Sequence, residues 1–305
     1  MIAPTPAHVP GVYTEGFVYK QAFQCLKVRL QSFDELVAFR LGDVVVQLTS
    51  RPQRATLLAG FPEITNDYKL NTKSTKPADV EFSGSVYLIL SFHSDDAEKA
   101  ASEGKSKFEV ALGYIEVILG ERFVFNRLYE QTIDVKKRSP QFTLDATLNP
   151  GFFEFHDVVD SALEEAASKW DEFAAMEVKG RNRLALALRW YQRSLLQKNA
   201  DDRFLSLWIA FEVIAMRGAS DLDSGIDFVK AKLAPDLSRE MIKTRLLLGE
   251  LFGCRGSIVH DGEAVMEHWN EGRIVLLKNI VSELLRAELS LAPRGTLKQR
   301  LDAAV

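Results

Sequence analysis

The sequence predicts a β-rich α+β domain followed by an all-helical bundle, divided near residue 150. Three observations predict it. Residues 1–150 alternate short runs of Val, Tyr, Phe and Leu with Gly, Pro and Asn, the texture of strands and turns. Residues 151–305 are dominated by segments whose apolar side chains recur every three or four positions. Between them, "ATLNPGFFEFH" (146–156) carries a Pro-Gly pair, a turn signal. At 305 residues the chain has room for two domains of ordinary size.

In the first half, "GVYTEGFVYK" (11–20), "FQCLKVRLQ" (23–31), "VVVQLTS" (44–50) and "SGSVYLILSF" (83–92) read as strands. One helix is predicted over 105–120, where Phe108, Leu112, Ile115 and Leu119 share a face. "RFVFNRLYEQTIDV" (122–135) returns to a strand pattern. In the second half, helices are predicted over 157–176, 181–198, 201–216, 223–233, 238–260 and 267–291. Leu184, Leu188, Tyr191 and Leu195 form the apolar face of the second of these. The tail 292–305 reads as an appendage.

Composition excludes several classes of function. Hydrophobic residues make up 47% and charged residues 26%, values of a globular protein. The net charge is −4, and neither half is basic: 17 basic against 18 acidic side chains up to residue 150, 21 against 24 beyond it. A nucleic-acid site would therefore have to be local, or be made by bringing two chains together. Cys25 and Cys254 are too few for a disulfide framework or a zinc site. The histidines at 8, 93, 156, 260 and 268 lack paired-ligand spacing, and no cofactor is expected. No signal-peptide pattern opens the chain and no apolar run approaches 18 residues, so a cytoplasmic protein without membrane spans is expected.

The chemistry concentrates in "LFGCRGSIVHDGE" (251–263). With 239–260 taken as one helix, Met241, Arg245, Leu248, Phe252, Arg255 and Val259 fall near one line. Gly249, Gly253, Gly256 and His260 fall on the next. Each interior glycine costs roughly 1 kcal/mol against alanine, so close approach of another backbone, or of a ligand, is expected to offset it. Arg255 and His260 are five apart, about 140° around an ideal α-helix, and are not expected to point the same way within one chain. Glu212 stands among Trp208, Phe211 and Ala215, where a carboxylate needs a partner; an ion pair to Arg255 or another basic group is the expected solution. Asp261 either orients the His260 imidazole or serves the turn. Arg189 and Arg193, one turn apart, are candidate RNA contacts or a solvated face.

Trp208, Ala210 and Glu212 on one helix, followed by Arg255 and His260 and then Gly262, resemble the C-terminal HEPN domains of the Apea-like group, with their W-x-A-x-E helix and Arg-x(4–6)-His motif. The resemblance covers about residues 180–290. Gly256 stands after the arginine, where many members carry a polar residue. The resemblance implies a metal-independent endoribonuclease, active as a homodimer whose paired Arg and His meet in a composite cleft, with a role in prokaryotic defence or stress. It implies catalytic roles for Arg255 and His260. A β-rich domain before such a unit would sense a trigger or a partner protein. The alternative is a non-catalytic HEPN module that binds RNA or a protein.

Overall fold

The computed structural model describes residues 15–25, 28–30, 36–49, 86–120, 124–136, 140–144, 156–158, 160–219, 221–262 and 272–302. These form a mixed fold, an antiparallel sheet in the N-terminal part and a mostly helical C-terminal part. The Pro150-Gly151 turn lies outside the described residues. The chain divides into two compact units, Met1–Ala111 with Arg122–Asp171, and Leu112–Glu121 with Glu172–Val305.

The first unit holds β1 (Phe17–Cys25), β2 (Val28–Leu30), β3 (Leu36–Leu41), β4 (Val44–Thr49), β5 (Val86–Ser94), β6 (Val124–Asp134), β7 (Pro140–Leu144) and β8 (His156–Val158). Six of them make one sheet in the order β3-β4-β5-β1-β6-β7, with every neighbour antiparallel. β2 and β8 form a separate parallel pair. The sequence pattern does not show β3, although Gly42 at φ +60° and Asp43 make the tight turn that joins it to β4. Nor does it show β7, which starts with Pro140 on the sheet edge, where a missing N–H is tolerated. The predicted helix is longer than expected: α1 runs Ala97–Leu119. Phe108, Leu112 and Ile115 are buried along its face, and Tyr19 stacks on Phe108 with ring centroids 5.1 Å apart. Gly104 lets that aromatic group in, since a Cβ there would stand 2.5 Å from Tyr19.

The helical elements continue with α2 (Asp160–Ala175), α3 (Val178–Leu196), α4 (Ala200–Phe211), α5 (Leu222–Leu233), α6 (Arg239–Arg245), α7 (Leu248–Gly256), α8 (Gly272–Glu288) and α9 (Lys298–Leu301). Side-chain caps fix several starts: Glu177 accepts from the amides of Lys179 and Gly180, Asn199 from Asp201 and Asp202, Asp221 from Ser224, and Ser238 from Met241. α3 buries Leu184, Leu188 and Tyr191 as its periodicity predicts. Gly113 makes room for it, because a Cβ there would lie 2.3 Å from the Leu188 carbonyl oxygen. No helix among the described residues is long and apolar enough to cross a membrane.

The tail is not an appendage. Glu283 accepts from the Arg294 amide at 3.1 Å, the Thr296 amide at 3.0 Å and the Thr296 hydroxyl at 2.8 Å. Arg286 donates to the Ala292 carbonyl at 2.7 Å, and to the Val117 and Ile118 carbonyls at 3.0 and 3.3 Å. These donors satisfy carbonyls near the end of α1 that the helix leaves open. Leu291 and Leu297 are buried with them. A sequence pattern does not show such a strap, because its bonds go to backbone atoms far away in the chain.

Candidate functional site

The predicted helix over 238–260 is two α-helices and a π turn. α6 stops after Arg245, and Leu247 takes a left-handed φ of 52° before α7 begins. The residues before Leu247 are thus out of phase with those after it, so the single wheel from Met241 to Val259 does not exist. From Ser257 to Asp261 the backbone is a π turn, closed by the Gly262 amide on the Ser257 carbonyl. Gly262 is left-handed at φ 68°, a conformation that glycine adopts at little cost.

This change of pitch corrects the expected separation of Arg255 and His260. The guanidinium Nη1 of Arg255 lies 3.2 Å from Nε2 of His260. In an i→i+5 turn, groups five apart come into register, whereas a continued α-helix would set them about 140° apart. Arginine has only donors, so in this contact the guanidinium donates toward the imidazole. His260 is exposed and Arg255 is half-buried, so both are open to a ligand.

The other side of Arg255 is held from the core. Its Nε lies 3.4 Å from Glu212 Oε1, and the Trp208 indole N–H donates to the same oxygen at 2.8 Å. Trp208 is buried, packed between Phe204, Phe211 and Phe252 at centroid distances of 6.3, 5.1 and 6.0 Å. The result is a line from interior to surface: indole, carboxylate, guanidinium, imidazole. Glu212 opens a second π turn, Glu212–Met216, closed by the Arg217 amide on the Glu212 carbonyl at 3.1 Å. Trp208 and Glu212 are one α-turn apart, so indole and carboxylate meet on one face.

The remaining candidates are more dispersed. Gly256 ends α7, and a Cβ on it, as on Gly253, would meet nothing within 4 Å. Among the described residues nothing fills the space at Gly253 and Gly256, whereas a Cβ on Gly249 would stand 3.2 Å from Lys243 Cε. Phe252 and Val259, on the same stretch, are exposed. Asp261 is exposed at the end of the turn. Arg189 and Arg193 lie on α3, half-buried, with the Arg193 guanidinium over the Trp190 ring at 5.1 Å. The sequence shows Phe252 only as part of an apolar line; its contact with Trp208 makes it a wall of the site, a role that only the fold reveals.

Cys254, buried beside Arg255, has its thiol pushed up to about 11, first by burial. It stays protonated and is not a nucleophile at neutral pH. Among the described residues no three His, Cys, Asp or Glu side chains come together as a metal site. Arg255 and His260 together offer a donor fork beside an imidazole. Compared with known proteins, the chain matches no family model, no curated protein and no solved structure.

Proposed function

We propose that the chain is a metal-independent endoribonuclease of the HEPN type, working as a homodimer. The observation that carries this reading is the exposed Arg255–His260 pair at 3.2 Å, backed by Glu212. An RNA 2′-hydroxyl attacks its own 3′ phosphate. The 2′-oxygen to phosphorus bond forms, the phosphorus to 5′-oxygen bond breaks, and the products are a 2′,3′-cyclic phosphate and a 5′-hydroxyl. His260 takes the 2′-hydroxyl proton once the phosphate draws Arg255 to itself. Arg255 stabilises the charge that builds on the phosphorane. The second copy's histidine supplies a proton to the leaving oxygen.

The open faces of Gly253 and Gly256, with exposed Phe252 and Val259 beside them, support the pairing of two copies. Two Arg–His pairs at one axis would bring two guanidinium forks to one phosphate. Arg189 and Arg193 are proposed RNA contacts. The N-terminal unit is the proposed place for a trigger or partner protein, and defence or stress the proposed context, both on resemblance alone.

The test is cleavage of single-stranded RNA in EDTA by the full chain, beside His260→Ala and Arg255→Ala. Loss of about 10²-fold or more is expected in each variant, the scale of general acid–base catalysis. Loss of cleavage in EDTA sinks the metal-free mechanism. A fully active monomer at micromolar concentration sinks the composite site. A second reading, a non-catalytic module binding RNA or a protein, is favoured by Gly256, which brings no side chain to the site. RNA binding without cleavage, weakened by Arg255→Ala, would select it.

A further inference from the structure

The strap that follows α8 reaches beyond α8 and the end of α1. Its short helix α9 meets the break between α6 and α7. Arg245, the last residue of α6, donates from Nη1 to the Leu301 carbonyl, and Arg300 Nη1 donates to the Arg245 carbonyl at 3.3 Å. The Arg245 carbonyl is one of those that a helix leaves open at its end, so Arg300 caps α6 from a distant part of the chain.

The break needs holding. Leu247 is left-handed at φ 52°, a conformation that residues with a Cβ avoid. Burial explains why the chain turns here. Leu246 and Leu248 are both fully buried, yet on one continuous helix two positions apart means about 200° around the axis. Apolar burial is non-directional, however, whereas hydrogen bonds have a direction. The two arginine–carbonyl bonds fix the angle at which α6 ends. That angle matters, because α7 acts as a lever. Arg255 comes eight residues after Leu247, about 12 Å along the axis at 1.5 Å per residue. A tilt of about 10° at the break moves it by about 2 Å, which is enough to open the 3.4 Å contact of Arg255 with Glu212.

The other end of the strap is seated on α1. Arg294 Nη2 donates to the Ile118 carbonyl, and a Cβ on Gly120 would lie 1.8 Å from Arg294 Nη1. Between the two ends the strap is stiff. Leu291 and Leu297 are buried, and the amides of Arg294 and Thr296 are held by Glu283, itself only 4% exposed. A stiff segment passes on a displacement that a loose tail would absorb.

We propose that residues 291–301 are a conformational link, which fixes the tilt of α7 through Arg245 and Arg300 and makes that tilt respond to the last turn of α1 through Arg294. The functional weight of the link rests on the proposed role of Arg255, but its measurement does not.

The test is hydrogen–deuterium exchange of the full chain, read by mass spectrometry, in Arg300→Ala, Arg294→Ala, the double variant and Lys298→Ala. All three side chains are exposed, so folded variants are expected, and circular dichroism checks this. Arg300→Ala should speed exchange at the amides of Leu246–Leu251 about tenfold. Arg294→Ala contacts α1 and not the break, yet it should speed exchange at the same amides several-fold. The double variant should exceed Arg300→Ala little, because both changes act through one link. Lys298→Ala, on the same short helix, should leave exchange there unchanged. The link is overturned if Arg300→Ala has no effect at these amides, or if Arg294→Ala loosens only the end of α1 and the strap. It is equally overturned if the two single effects multiply in the double variant, or if Lys298→Ala does as much as Arg300→Ala. Exchange is read without RNA, so failure of the link and failure of the nuclease reading are separate results.

Discussion

The two π turns use one backbone device to opposite ends. Glu212–Met216 is closed by an i→i+5 bond and followed by left-handed Arg217; Ser257–Asp261 is closed in the same way and followed by left-handed Gly262. Yet Ile214, Ala215 and Met216 of the first are buried, and none of the second is. Packing holds the first turn. The second has little core contact, and the charge line from Glu212 through Arg255 to His260 runs along it. The difference teaches that an unfavourable helix pitch is kept for two separate reasons, one to place an anchor and one to bring two surface groups into register.

The largest expected effect breaks the anchor. Trp208→Ala empties a buried indole site and leaves Glu212 without its donor. A loss of about 3–5 kcal/mol in unfolding free energy is expected by denaturant titration. Trp208→Phe keeps most of the ring volume and removes the N–H. Its cost should be far smaller, while Arg255 loses the fixed carboxylate that positions it. If the two variants are equally destabilised, the hydrogen bond rather than packing holds the first turn, and the comparison fails.

A smaller effect separates the anchor from the charge line. Glu212→Gln keeps an acceptor for the indole and removes the ion pair to Arg255. That pair is about one-third exposed on both sides, so its contribution to stability is expected to be under about 1 kcal/mol. If Glu212 positions Arg255, the proposed RNA cleavage should fall about tenfold, near 1.4 kcal/mol in the barrier, with the melting temperature almost unchanged. A large loss of stability with normal cleavage would make Glu212 a structural residue alone.

The anchor is more legible in the sequence than the turns are. Apolar spacing exposes α3 through Leu184, Leu188 and Tyr191. The isolated carboxylate at Glu212 demands a cationic partner, and Arg255 is one. Nothing in the letters marks the break at Leu246 and Leu247, because leucine is a good helix former and tertiary packing alone turns the chain there. A single fixed pitch over 239–260 then carries every later position onto the wrong face. The π turns are equally silent, since their signal is a backbone bond with no preferred residue type apart from the closing Gly262. In the first unit, β3 goes unread although the Gly42-Asp43 turn follows it, the single run 23–31 covers the end of β1 and all of β2, and β8 is too short for alternation to show.

The smallest expected effect tests the exposed turn alone. Gly262 sits at φ 68°, and a Cβ on it would meet nothing within 4 Å among the described residues. Gly262→Ala therefore isolates the backbone cost of a left-handed L-residue, about 1–2 kcal/mol. The chain has two ways to respond. It can keep the π turn and lose that stability, with Arg255 and His260 still in contact. Or it can relax to α-helical pitch, which saves most of the cost and swings His260 away from Arg255. The exposed turn has little packing to resist relaxation, so the second outcome is expected: a melting temperature lowered only slightly, and the proposed cleavage lowered more than stability explains. Arg217→Gly in the buried turn should do neither, because core side chains hold its pitch. An unchanged cleavage rate in Gly262→Ala, with the full loss of stability, would mean that something other than the closing glycine fixes the second turn.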